Sequence, residues 1–147
     1  MSTTSVSSSL DIKAPPEVIF DILANPHRHS EIDGSGSVVG DVEGPDRLSQ
    51  GAVFKVKMHI KISYTMTNTV VEFEENRLIA WRPKGNVRWR YELKPAGEVT
   101  TVTETWDISL LPAPMRGFFN LIGMPKRTKK SLDATLERLK TAAESAA

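Results

Sequence analysis

A chain of 147 residues, 39% hydrophobic and 25% charged, with a formal net charge of +1, has the make-up of one soluble globular domain with a core of its own. Near-neutrality argues against a dedicated nucleic-acid binder, whose phosphate contacts need a basic field. The lack of cysteine excludes disulfides, thiolate zinc sites and thiol catalysis, and no apolar run approaches the ~18 residues of a membrane-spanning helix.

The first residues, Met1 to Ser9, are Ser/Thr-rich without a basic region or apolar stretch, so no secretory signal is expected and a cytoplasmic location is the default. Val6 to Ile12 reads as a strand with Val6, Ser8, Leu10 and Ile12 on one face. Ala14-Pro15-Pro16-Glu17 opens a helix, proline being tolerated in the first turn. Val18, Ile19, Ile22 and Leu23 form its apolar stripe, and Asn25-Pro26 ends it, because a residue before proline avoids helical angles. A short polar segment, His27 to Ile32, and a loop at Asp33-Gly34-Ser35-Gly36 follow. From Val38 to Ser109 the pattern is β: Val38–Glu43, Val53–Ile60, Tyr64–Phe73, Leu78–Arg82, Val87–Leu93 and Val99–Ser109, separated by turn-forming clusters such as Gly44-Pro45-Asp46 and Pro95-Ala96-Gly97. The chain closes with Pro114 to about Ala143. Apolar or small residues recur there at helical period through Leu132, Leu136, Leu139 and Ala143, and the phase predicts one long helix kinked at Pro125.

Strand, short helices, meandering strands and a long helix make an α+β chain whose consecutive hairpins build an antiparallel sheet. Even hairpin loops place Trp89 opposite Glu104, Tyr91 opposite Val102 and Leu93 opposite Thr100. Carried backwards, the same parity puts Arg82, Ala80, Val71 and Phe73 on that inner face. It also sets Phe54, Val56, Met58 and Ile60 beside Val71, Thr69, Thr67 and Thr65. The inner face is then apolar and aromatic, with a threonine strip and two charges, Arg82 and Glu104. One bulge would invert part of this assignment.

The layout resembles the START-like superfamily with the helix-grip fold, in particular its polyketide cyclase/dehydrase-like branch (the SRPBCC group). The resemblance is carried by Ile12-x-Ala14-Pro15-x-x-Val18-x-x-Ile22-Leu23-Ala24-Asn25-Pro26, by His29-Ser30-Glu31-Ile32-Asp33, and by Val70-Val71-Glu72-Phe73-Glu74 through Leu78-Ile79-Ala80-Trp81-Arg82. Thr101-Val102-Thr103-Glu104 and the terminal helix complete it. Members often carry Trp where this chain has Ile32. The resemblance implies a curved antiparallel sheet of about seven strands wrapped round the long C-terminal helix, with two short helices after the first strand. It also implies an internal cavity for a hydrophobic small molecule such as a lipid, quinone or polyketide-like compound. Fold alone does not choose between carriers and cyclases in such a group.

The expected lining of that cavity is Phe54, Val56, Met58, Thr67, Thr69, Val71, Trp89, Val102, Trp106, Phe118, Phe119 and Ile122, with Asp33 and Ser35 as polar contacts at a flexible mouth. Arg82 and Glu104, on strands separated by one other, would stand about 10 Å apart. A guanidinium in an apolar cavity can bind a carbonyl, phenolate or carboxylate. A carboxyl desolvated beside Trp89 and Trp106 can act as general acid or base, and Tyr91 adds a hydroxyl. Arg82, Glu104 and Tyr91 are thus the candidate catalytic set of an aromatase/cyclase-like enzyme. The plainer reading is an ion pair or a wet cavity rim.

No metal site or cofactor is expected. His27 and His29 lie two apart, pointing in different directions on a helix, and read as a solvated turn; His59 alternates to the outer face. Gly34, Gly36 and Gly40 do not have dinucleotide-fingerprint spacing. Lys126, Arg127, Lys129 and Lys130 would sit badly at the positive end of a helix starting at Pro125, which favours an earlier start. They read as a solvated helix face or as a transient contact with an anionic membrane surface beside Met115, Phe118 and Phe119. Three functions follow: a binder of a hydrophobic small molecule, monomeric or homodimeric; an aromatase/cyclase-like enzyme; or a protein-interaction module with a filled interior.

Overall fold

The computed structural model describes residues 3–39, 42–83 and 85–147, without the side chain of Ile60. In chain order it has β1 (Ser5–Ile12), α1 (Pro16–Leu23), a 3-10 turn (Pro26–Arg28), α2 (His29–Ile32), β2 (Val53–Ile60) and β3 (Ile62–Glu74). Then come β4 (Leu78–Pro83), β5 (Arg88–Ala96), β6 (Val99–Asp107), α3 (Ala113–Leu121) and α4 (Met124–Ala146). The strands form one antiparallel sheet in the order β1-β6-β5-β4-β3-β2. This is the expected α+β helix-grip arrangement, with six strands among the described residues rather than seven. Among the described residues, the segment expected as a strand over Val38–Glu43 meets β2 in isolated bridges, Val38 to Met58 and Glu43 to Lys55. Gly40 and Asp41, between them, lie outside the described residues.

Local chemistry accounts for the element ends. Pro15 and Pro16 start α1, whose Ile19, Phe20, Ile22 and Leu23 are buried. Asn25 stops it and caps the following turn, its side chain accepting from the His27 N–H at 3.0 Å. The C-terminal segment is two helices, not one kinked helix. Gly123 has φ 75°, a left-handed angle that breaks the run, and Pro125 then lies in the first turn of α4. The apolar spacing of the sequence runs across the break, but Phe118, Leu121 and Ile122 before it are exposed while the α4 stripe is buried. The four cations therefore do lie at the start of α4, against the dipole; Arg127 answers this in part by donating to the Ile122 carbonyl at 3.0 Å.

The buried stripe of α4 is Thr128, Leu132, Thr135, Leu136, Leu139 and Ala143. It packs on the inner face of the sheet together with α1, and the core divides into two apolar clusters. The larger holds α1, Leu136, Leu139, Phe54, Val70, Ile79 and Val102. The smaller holds Trp106, Ile108, Leu111 and Leu132, with Phe119 and Trp89 packed against it.

The register corrects the expected faces at one strand and half of another. The hairpin between β3 and β4 encloses three residues, Glu74 pairing with Leu78, and an odd number also separates Trp81 from its partner Trp89. Each odd loop reverses parity, so β4 alone is turned over: Ile79 and Trp81 face inward and Arg82 outward. A bulge between Val70 and Glu72 reverses β3 below it. Asn68, Met66 and Tyr64 consequently pair with inward-facing Phe54, Val56 and Met58, while Thr65, Thr67 and Thr69 join the outer face. In the β5–β6 hairpin the faces are as expected but the pairing is displaced by two: Trp89 opposes Trp106, Tyr91 opposes Glu104 and Leu93 opposes Val102. The turn is Gly97-Glu98, one residue later than the expected Ala96-Gly97.

Candidate functional site

One row across the inner face runs Ser8, Glu104, Tyr91, Ile79, Phe73, each paired directly with the next. Its middle carries the polar groups. Glu104 is 3% exposed and Tyr91 4% exposed, and Oε1 of Glu104 has no hydrogen-bond partner among the described residues. Burial pushes the Glu104 carboxyl up from its ordinary 4.5 to about 8; the Tyr91 hydroxyl beside it pulls the other way, and the Asp33 charge adds to the rise. Burial and the neighbouring Glu104 push the Tyr91 phenol well above its usual range as well. Near neutral pH the pair is thus a carboxylic acid and a phenol, two neutral donors in an apolar wall.

The next row is aromatic: Val6, Trp106, Trp89, Trp81 and Val70. Trp106 stacks on Phe119 at 6.3 Å and leans on Trp89 at 6.4 Å. Trp81 contacts Tyr91 at 5.4 Å, Phe54 at 5.4 Å and His29 at 4.8 Å. His29 is buried, which overturns the solvated turn expected there. Its Nε2–H donates to the Leu23 carbonyl at 2.8 Å, and burial lowers its pKa from 6.5 to about 4, so it is neutral. His27 and His59 are exposed as expected, near Asp46 and Ser63 respectively. Among the described residues no three His, Asp or Glu side chains converge as metal ligands would.

The polar face of the site is closed by α4 and the loop after α2. Ser8 donates to Asp133 and accepts from Lys129. Gly34 presses on α4: a Cβ there would lie 2.4 Å from the Thr135 nitrogen, and its own N–H donates to Thr135 Oγ1 at 2.9 Å. The loop expected to be flexible is therefore anchored, and glycine is required by close approach. The Asp33 carboxylate accepts from the Ser35 N–H and hydroxyl and from the Val38 N–H, so both predicted polar contacts are engaged within the loop.

Phe54, Val56, Met58, Trp89, Val102, Trp106 and Phe119 are on or against the inner face with Glu104 and Tyr91. Arg82, Thr67 and Thr69 line an outer-face depression of about 400 Å³ instead, so no Arg82–Glu104 pair can form across the interior. Val71 is the extra residue of the bulge, its carbonyl accepting from Gln50; Val70 takes the core position. Phe118 and Ile122 are exposed. Trp81, Asn68 and buried Ser8 were missed as site residues. The alternation of bulky Ile79 and Trp81 against Leu78, Ala80 and Arg82 was the available signal for Trp81.

A second depression of about 580 Å³ lies on the surface between Arg28 and Glu31 of the α2 region and Glu137, Arg138 and Thr141 of α4. Between sheet and helices, aromatic rings occupy much of the interior. The element covering the smaller cluster is weakly held: α3 has no buried residue. Asn120 ties it to the segment ahead of β1 by accepting from the Thr3 N–H at 2.9 Å and donating to the Thr3 carbonyl at 3.1 Å.

A six-stranded antiparallel sheet gripping a long C-terminal helix is the START-like arrangement. Residues 3–144 match the family described as polyketide cyclase / dehydrase and lipid transport, and the chain belongs to it. An uncharacterized protein of Mycobacterium tuberculosis, Rv0088, is 36% identical over 138 residues; the match covers 91% of this chain and spans only 62% of that protein. Among solved structures, a START superfamily protein of Mycobacterium smegmatis superposes with a TM-score of 0.73 at 16% identity, covering 99% of this chain and 100% of that one. Protein NE0264 of Nitrosomonas europaea gives 0.74 at 13% identity, covering 98% and 96%. Such low identities speak to the fold.

Proposed function

We propose that the protein binds a hydrophobic small molecule between the inner face of the sheet and its two C-terminal helices, with Glu104 and Tyr91 donating hydrogen bonds to a neutral oxygen of the ligand. The observation that carries this reading is the buried Glu104 Oε1, which has no hydrogen-bond partner among the described residues. Leaving such a group unsatisfied costs about 1–3 kcal/mol, and a carbonyl or hydroxyl oxygen of a lipid, quinone or polyketide-like molecule would recover it. Room is made by movement of α3, whose Phe119 covers Trp106 and which has no buried residue of its own to hold it down. With Arg82 on the outer face, the aromatase/cyclase reading reduces to Glu104 as a proton donor or acceptor beside Tyr91.

The aromatic filling of the interior favours a second reading, a protein-interaction module without ligand. Native mass spectrometry of freshly purified protein, with extraction of whatever is bound, separates the two. A retained apolar compound bearing a carbonyl or hydroxyl, lost in Glu104→Ala, supports the ligand reading. An empty protein that also ignores a panel of lipids, quinones and polyaromatic ketones overturns it.

A further inference from the structure

Antiparallel pairing puts the start of β1, the end of β6, the β4–β5 loop and the tip of the β2–β3 hairpin at one end of the sheet. At this end the chain continues from β6 into α3, and Asn120 of α3 clasps Thr3. Most of the exposed large apolar side chains gather here. Leu121 is 84% exposed, Ile62 71% and Leu110 65%, and Met115 and Phe118 are exposed beside them in α3. A nine-residue amphipathic helix with nothing buried is unusual in a folded domain, since helices of this length depend on packing for their stability.

The charge is segregated to match. Residues 53–71 and 108–130 together hold eight Lys and Arg and no Asp or Glu, in a chain whose overall charge is only +1. Lys61 projects from the hairpin tip beside Ile62, and Lys126 and Lys130 are exposed on the first turns of α4. Exposed apolar side chains accompanied by cations, with the nearby Asp107 already paired to Arg88, are complementary to one kind of surface: apolar tails behind anionic headgroups. A nucleic acid would use the cations but gains little from Ile62, Leu110 and Leu121, which cannot stack on bases as aromatic rings do. No helix among the described residues is long and apolar enough to cross a membrane, so contact would be peripheral.

We infer that this end of the molecule docks onto an anionic lipid bilayer, with α3 and the β2–β3 tip inserting aliphatic side chains and Lys61, Lys126 and Lys130 engaging the headgroups. Docking requires no bound ligand, so it is tested apart from the proposed binding activity.

The test is cosedimentation of the purified protein with vesicles of phosphatidylcholine alone and of equimolar phosphatidylcholine and phosphatidylserine, at low and raised salt. The wild type should partition onto the anionic vesicles and be released by salt. Each cation removed, as in Lys126→Gln and Lys130→Gln, should weaken partitioning by about fivefold. Leu121→Asp, at a position where nothing is buried, should weaken it too, while Lys94→Glu, far along β5, should not. A tryptophan reporter, Leu121→Trp, should shift to the blue with anionic vesicles. Absence of partitioning by the wild type, equal partitioning onto both vesicle types, or equal loss in Lys94→Glu would overturn the inference, as would binding to RNA in preference to vesicles.

Discussion

Two buried titratable groups, one on α2 and one on the inner wall of the sheet, are in opposite circumstances. His29 is enclosed by α1, α2, Phe54 and Trp81; its one N–H has a carbonyl to donate to, and its ring is stacked at 4.8 Å. Glu104 is as deeply buried, yet one oxygen has no partner, and the neighbouring cluster is covered by a helix without a buried residue. Everything around His29 is satisfied, as in a core that only has to hold the fold. Around Glu104 the structure leaves an unmet hydrogen bond beneath a weakly held cover. The difference separates the framework of the molecule from the part suited to receive something.

The contrast can be broken by substitution. Phe54→Ala, in the His29 cluster, removes a fully buried ring that contacts both His29 and Trp81. It should cost about 3–5 kcal/mol in denaturant unfolding; a loss below about 1 kcal/mol would mean that this half is not the framework.

The pH dependence sharpens the same comparison. His29 titrates lower in the folded state than unfolded, so its contribution is lost as pH falls from 6.5 towards about 4. Glu104 titrates higher in the folded state, so its contribution is complete below 4.5 and declines as pH rises to about 8. The two slopes oppose each other where the windows overlap, leaving a net decline above pH 6.5, at up to about 1.4 kcal/mol per pH unit. Glu104→Gln should abolish that decline in thermal melts and unmask a rise in stability from about pH 4 to 6.5, whereas His29→Phe should extend the decline down to about pH 4.5. An unchanged decline in Glu104→Gln would show that its carboxyl is solvated.

A smaller effect is expected between the halves. Gly34→Ala would drive a methyl into the backbone of α4 at Ala134 and Thr135, costing about 1–3 kcal/mol in chemical denaturation. A neutral result would mean that the loop yields, as the sequence first suggested. Least of all, Leu121→Ser should move stability by no more than about 0.5 kcal/mol. A larger loss would mean that α3 is packed rather than resting.

Much of this was legible beforehand because it depends on periodicity. β1, β2, β5 and β6 alternate cleanly, so Phe54, Trp89, Tyr91, Val102, Glu104 and Trp106 were placed on the correct face. The stripe Leu132, Leu136, Leu139 and Ala143 identified the buried side of α4. Arg82 was misplaced because parity passes through loops: an odd number of residues on either side turned β4 over, and the two errors cancelled once the count, carried backwards from β5, reached the end of β3. Thr67 and Thr69 were lost to a bulge one residue wide. The Gly123 break was hidden too, since apolar residues keep helical spacing in the sequence on both sides of it although only those of α4 are buried.

The order of elements, the α+β class and the family pattern follow from local patterning alone, where each residue answers to its near neighbours. Which of two adjacent residues faces the interior depends on loop parity and bulges, and whether His29 is wet or dry depends on what folds over it. Only the tertiary structure decided those, along with the unpartnered oxygen of Glu104 and the gathering of exposed apolar and cationic side chains at one end. They arise from segments far apart in the chain, and no local propensity encodes who meets whom.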